Sequence, residues 1–142
     1  MTADDTDARP AVPVAVGVLL RPDGTFLLAS RPEGKPWAGY WEFPGGKIEA
    51  GESLTQALER ELHEELGLHG LRASYWRSLD MDYPHARVHL QFCKVTGWEG
   101  EPQPREGQQL AWQTLPITVA PILPGTIPVL DWLLEERALG QA

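Results

Sequence analysis

With 142 residues the chain can bury one domain core and is too short for two comfortable ones. Its 12 basic and 20 acidic side chains give a net charge of −8, which argues against a nucleic-acid polymer or an anionic membrane as partner. The one cysteine, Cys93, excludes an internal disulfide and a cysteine-based zinc site, so a reducing cytoplasm is the expected setting.

The chain opens on "MTADDTDARP", which is acidic and polar and lacks the basic-then-apolar pattern of a signal peptide. Residues 1–11 are therefore expected to form a disordered tail and residues 12–142 the domain. "AVPVAVGVLL" and "TFLLASRP" read as two strands joined by a turn at Pro22-Asp23-Gly24. In the first, Val14, Val16 and Val18 alternate with smaller residues, as a strand with two unequal faces would. "EGKPWAGY" is a loop, and "WEF" is a short strand that Pro44-Gly45-Gly46 should end. A helix follows. "LRASYWRSLDMDY" and "RVHLQFCKVTGW" flank "PHA" as a second hairpin. "EGEPQPREGQQ" is a loop and "LAWQTL" a last strand, after which "ITVAPILPGT" is irregular. "IPVLDWLLEERAL" reads as a closing helix with Pro128 in its first turn, and Val129, Leu130, Leu133 and Leu134 are expected to face the core. The tally is an α/β or α+β sandwich with two helices. No stretch reaches the ~20 apolar residues of a membrane span.

The first helix has legible ends. Ser53, with Gln56 three residues on, forms a capping box, and Gly67 stands where a left-handed C-terminal cap is wanted. The spacing predicts a helix over 54–66. On a wheel at about 100° per residue, Glu65 lies about 40° to one side of Glu61 and Glu64 about 60° to the other. Leu54 and Ala57 fall in the same arc two turns earlier, whereas Glu59 and His63 point away from it. Like charges at these spacings cost a few tenths of a kcal/mol per pair, and acids in a final turn oppose the helix dipole. Arg60 can offset one such charge but hardly three. A hard divalent cation, Mg²⁺ or Mn²⁺, is the economical counter-charge.

Acid-rich helices also occur as plain solvated faces. What sets this one apart is the preceding loop, "FPGGKIEAGE", in which two adjacent glycines open the backbone to a ligand and Lys47 offers a charge for phosphate. Acids beside a phosphate-friendly loop point to metal-assisted attack on a phosphate ester or anhydride. The acids sit on a helix rather than in an alternating loop, so an EF-hand is not indicated.

Gly46, five residues, Glu52, seven residues, then Arg60-Glu61-Leu62-His63-Glu64-Glu65-Leu66-Gly67-Leu68 resembles the Nudix box at every defined position. The flanks "WEFPGGKIE", "WEGEP" and "REGQ" are similar to the MutT branch of that family. The resemblance runs from about Val12 to Leu134. It implies a Nudix α/β/α sandwich with a mixed β-sheet between helices, and Mg²⁺-dependent hydrolysis of a nucleoside triphosphate to the monophosphate and pyrophosphate. It also implies roles. Glu61, Glu64 and Glu65 resemble the metal-binding carboxylates, the carbonyl of Gly45 a backbone ligand, and Glu106 a further acid that binds metal or acts as general base. Arg60 resembles the arginine that orients the glutamates and Glu52 the partner that braces loop and helix, with Gly46 and Gly67 structural. Arg31 and Lys47 match positive side chains near the phosphates. A carboxylate beside the attacking water can take its proton, and Glu61 and Glu106 are both candidates.

At the base end the pattern departs from the branch. Relatives that prefer oxidised guanine present an asparagine before the last helix, where Thr126 stands here, and a hydroxyl cannot reproduce the paired donor and acceptor of an amide. Thr126 could instead cap the helix. Ala86 replaces a family arginine, and Arg87, one residue on, should face the other way along a strand. Tyr83 is the ring expected near the base, and the tryptophans are read as core or edge residues. Three functions follow in order: a diphosphatase of oxidised purine nucleotides such as 8-oxo-dGTP, which cleanses the nucleotide pool; a pyrophosphohydrolase of CTP, dCTP or modified pyrimidines; and a non-catalytic nucleotide-sensing module, from which box acids should be missing. None is missing here. A monomer or homodimer is expected.

Overall fold

The computed structural model describes residues 9–140, so most of the expected disordered tail lies outside the described residues. Strands β1 (Val12–Leu19), β2 (Phe26–Ser30), β3 (Trp41–Glu42) and β4 (Gly45–Lys47) precede helix α1 (Leu54–Leu66). Strands β5 (His69–Asp82), β6 (Arg87–Glu99) and β7 (Leu110–Gln113) follow, and a 3-10 turn at Pro124–Thr126 leads into helix α2 (Ile127–Ala138). A four-stranded mixed sheet has the order β4-β1-β6-β5, with β1 and β6 parallel and the other pairs antiparallel. A three-stranded antiparallel sheet has the order β3-β2-β7. No helix among the described residues is long and apolar enough to cross a membrane.

The alternation in β1 divides the core. Ala15 and Leu19 join Leu27, Cys93 and Val95 against Ala57, Leu58, Leu62 and Leu66 of α1. Val16 and Val18 join Phe26, Leu28, Phe92 and Val129 of α2 in a second cluster. Successive strand residues point to opposite faces, so one strand serves both helices and the layers become α/β/α. Gly17 lets α1 come close, since a Cβ there would meet Leu58 and Leu62 at 3.3 Å. Each fully buried leucine contributes roughly 1.5–3 kcal/mol, and it is this packing that fixes α1 against the sheet.

Two readings of the sequence are corrected. Gly45 and Gly46 do not end a strand but form β4, pairing with Val16 and Ala15 of β1; glycine is required because a Cβ on Gly45 would overlap the Ala15 carbonyl. Leu134 does not face the core and is 53% exposed. Three-residue steps carry the buried stripe of α2 from Val129 to Trp132 and from Leu130 to Leu133 and leave Leu134 on the far side.

Helix α1 is capped at both ends. The Ser53 hydroxyl accepts from Gln56 N, and Gln56 Oε1 accepts from Ser53 N. Gly67 closes the helix at φ 76°. Ser53→Ala should lower stability by about 1 kcal/mol; urea unfolding with an unchanged m-value would register it.

Candidate active site

A cleft of about 660 Å³ opens where β1, β4, the loop 31–40, the start of β6 and the 3-10 turn meet. That volume lies in the range of small-molecule sites. One end is acidic and lined by Gly45, Gly46, Glu61, Glu65 and Glu106; the other is lined by Trp37, Tyr83, His85, Ala86, Gly125 and Thr126. Arg31, Lys35, Glu42 and Lys47 also line it.

Loop and helix meet through Arg60. Its guanidinium donates to both oxygens of Glu52 at 2.7 and 2.8 Å, to Glu61 Oε1 at 2.8 Å and to the Lys47 carbonyl at 3.0 Å. The Arg60 hydrogen bonds, helped by the Glu49 amide, hold the Glu52 carboxyl down at about 2. Glu52, and then Glu61, keep Arg60 still more firmly protonated than usual. The Glu61 carboxylate lies directly over Gly46, and any Cβ there would overlap it.

The acids of α1 separate by environment. The buried residues of the helix are Ala57, Leu58, Leu62 and Leu66, so its apolar arc is centred beside Glu61 rather than on it. Glu65, about 40° towards that arc, is drawn under the surface, and Glu64, about 60° away from it, is turned to solvent. Glu64 does not line the cleft; it is 53% exposed and stands 3.6 Å from Arg60. Glu65 Oε2 is buried with no hydrogen-bond partner. Burial pushes the Glu65 carboxyl up to about 9, reinforced by the charges of Glu61, Glu106 and Glu42, while Lys35 pulls it back.

Among the described residues no three acidic, histidine or cysteine side chains close into a ready-made cation cage. The chemistry of the donor set nevertheless suits a hard cation. An unpartnered buried carboxylate oxygen of Glu65 shares one cleft with the carboxylates of Glu61 and Glu106, so the donors gathered there are oxygens.

The remaining predicted residues fall along the cleft. Arg31 donates to Glu42 Oε2 at 3.0 Å and to the Pro36 carbonyl at 2.6 Å. The Lys47 side chain is exposed at the rim. The Tyr83 hydroxyl accepts from Gly125 N at 2.8 Å, and burial raises its pKa. Thr126 is 3% exposed and its side chain makes no capping bond to α2. Ala86 lines the cleft, whereas Arg87 pairs with Asp82 at 3.3 Å. Gly67 lies beneath the Arg105 guanidinium, which donates to the His63 carbonyl at 3.3 Å.

Four residues were missed, the first being Lys35, which lines the cleft 4.0 Å from Glu106. Gln108 is 6% exposed; its Oε1 accepts from Glu106 N at 2.8 Å and its Nε2 donates to the Glu65 carbonyl at 3.2 Å. The amide accepts through one atom and donates through the other, and so ties the Glu106 loop to the end of α1. Glu42 reaches the cleft because β3 pairs it with Ala29. Trp37 lines the cleft instead of the core. A polar residue two positions past a candidate acid was the one available signal for Gln108; the other three needed the fold.

A NUDIX domain model matches residues 11–133. The chain belongs to the Nudix family. It is a Nudix hydrolase of the MutT-like kind, acting on phosphorus anhydrides. It is 42% identical over 104 residues to an 8-oxo-dGTP diphosphatase of Haemophilus influenzae, covering 73% of this chain and 76% of that protein. It is 38% identical over 124 residues to a CTP pyrophosphohydrolase of Escherichia coli, covering 87% and 92%. Among solved structures, the E. coli ORF135 protein superposes with a TM-score of 0.78 at 36% identity, covering 93% of this chain and 94% of that one.

The raised Glu65 pKa links the stability of the fold to pH through one proton. In metal-free Nudix protein the folded state holds this proton while the unfolded chain, titrating near 4.5, releases it. Stability should therefore fall as pH rises from about 5 to about 9. At pH 8 in EDTA, Glu65→Gln should be more stable than wild type by at least ~1 kcal/mol, each pK unit being worth about 1.36 kcal/mol. At pH 4 the two should unfold alike in urea.

Proposed function

We propose that this Nudix hydrolase cleaves nucleoside triphosphates to the monophosphate and pyrophosphate, with Mg²⁺ (or Mn²⁺) held by Glu61, Glu65, Glu106 and the Gly45 carbonyl and by Glu64 from the solvent side of the helix. The observation that carries the reading is the buried Glu65 oxygen without a partner at the acidic end of the cleft. Mg²⁺ at these oxygens supplies Lewis acidity towards the polyphosphate and the attacking water. The protein's own groups do the rest. Arg31, Lys35 and Lys47 bring positive charge to the phosphate oxygens. Arg60, fixed by Glu52, holds Glu61 over Gly46. Glu61 or Glu106 takes the proton of the incoming water as the α–β anhydride bond breaks, and pyrophosphate and the monophosphate leave.

An oxidised purine nucleotide of the 8-oxo-dGTP type is the first substrate. The 42% identity to a diphosphatase of that nucleotide supports this, and removal of such nucleotides from the pool would be the role. One observation favours a second reading. Among the described residues no asparagine or glutamine side chain lines the cleft, and Thr126 and Ala86 occupy the base end. With the longer match to a CTP pyrophosphohydrolase, this makes CTP, dCTP or a modified pyrimidine nucleotide the competing substrate.

Two measurements test the proposal. Glu65→Gln and Glu64→Gln should remain folded while Mg²⁺-dependent pyrophosphate release drops on the order of 10²–10³-fold, the scale on which lost charge stabilisation is felt; near-normal turnover would remove the metal assignment. A panel of normal and oxidised nucleoside triphosphates, ranked by kcat/KM, should place 8-oxo-dGTP first. CTP or dCTP at the head of that ranking would install the second reading.

A further inference from the structure

Trp37 is the one non-glycine residue with positive φ among the described residues, at 62°. For a bulky side chain that region is strained, and glycine would occupy it freely. The same loop uses glycine at two other left-handed positions, Gly34 at φ 89° and Gly39 at φ 85°. Yet the strained position carries an indole, and the indole lines the cleft. Strain of this kind persists only where the surroundings enforce it. Here they do. Tyr40 N donates to the Trp37 carbonyl at 3.0 Å, Gly39 N to the Arg31 carbonyl at 2.9 Å and Arg31 N to the Tyr40 carbonyl at 2.8 Å.

The ring is oriented but not covered. It meets Tyr40 at 4.9 Å and 85°, and Tyr83 at 5.8 Å and 65°; among the described residues no ring lies parallel to it. Trp98, by contrast, stacks on Trp112 at 18°, and Arg21 lies over the Trp112 ring. The loop also spans the cleft's two chemistries. Lys35 stands 4.0 Å from Glu106 at the acidic end, and Trp37, two residues on, touches Tyr83, whose hydroxyl is bound to Gly125 at the other end.

We propose that the Trp37 indole is the face on which the nucleobase stacks, and that the loop 31–40 sets its position relative to the phosphate-binding charges. The inference rests on the reading that the cleft takes a nucleoside triphosphate. Every base has a π-face, so stacking distinguishes a nucleoside polyphosphate from a bare polyphosphate without choosing the base. Trp37 is thus a determinant of nucleoside affinity, while residues such as Thr126 and His85 are left to select among bases.

The test compares wild type, Trp37→Gly and Trp37→Phe by steady-state kinetics on purine and pyrimidine triphosphates with Mg²⁺, alongside inhibition by inorganic tripolyphosphate. Trp37→Gly, which relieves the backbone strain, should raise KM roughly 5- to 150-fold on both base classes, the span expected for one base–aromatic stack. It should leave kcat and the tripolyphosphate inhibition constant unchanged, and Trp37→Phe should recover most of the loss. An unchanged KM in an active enzyme overturns the stacking role alone. So does a parallel rise in KM and in the tripolyphosphate constant, which would mean that the loop had collapsed and taken Arg31 with it. A wild type inert on every nucleoside triphosphate overturns the pyrophosphohydrolase reading and the stack with it. If Trp37→Gly does not fold, Trp37→Leu, which keeps apolar bulk without a π-face, is read by the same criteria.

Discussion

The site depends on one guanidinium. Arg60 grips both oxygens of Glu52, one oxygen of Glu61 and the carbonyl of Lys47, and so joins a glycine-bearing strand and its following turn to the middle of a helix. Charge-assisted, bidentate bonds of this sort fix orientation as well as energy. Without them the acidic side chains of α1 would move apart under their own repulsion, because among the described residues no other side-chain cation pairs with Glu61 or Glu64. Lysine could not substitute. A single ammonium lacks the planar fork that serves Glu52 with two donors and Glu61 with a third.

Around that joint, the fold sorts identical residue types into different states. Glu61, Glu64 and Glu65 share a helix, yet one is held by arginine, one faces water and one is driven under the surface. The cause is a rotation of the apolar stripe, centred on the Leu62 side of the helix, and not any local sequence preference. A carboxyl that burial holds back from ionising is a stored demand for positive charge. Gln108 and Arg105 close the same corner from the loop side by tying the Glu106 segment to the carbonyls that end α1.

Much of this was legible in the residues. The helix limits followed from Ser53, Gln56 and Gly67, and the layered α/β/α architecture was implied by the resemblance carried on the box. The alternation in β1 announced two unequal faces, which became two core clusters. What sequence could not supply was depth. A wheel ranks angles but does not say where the sheet lies, so Glu64 and Glu65 looked equivalent until α1 was seen packed on β1, β4 and β5. The register that makes β4 out of Gly45–Lys47 was hidden for a related reason: glycines read as breakers unless a partner strand is known to press against them. Leu134 and Trp37 were both placed too deep, since apolar character alone does not distinguish core from cleft from open surface.

The bond from Gly125 N to the Tyr83 hydroxyl carries a consequence of its own. It fastens the hairpin wall of the cleft to the turn just ahead of α2, and a Cβ on Gly125 would come within 2.8 Å of that same oxygen. The aperture at that end is therefore not an adjustable loop property. It is inherited from how Val129 and its neighbours seat the closing helix on the sheet, so that the width of the cleft and the packing of the core become one variable.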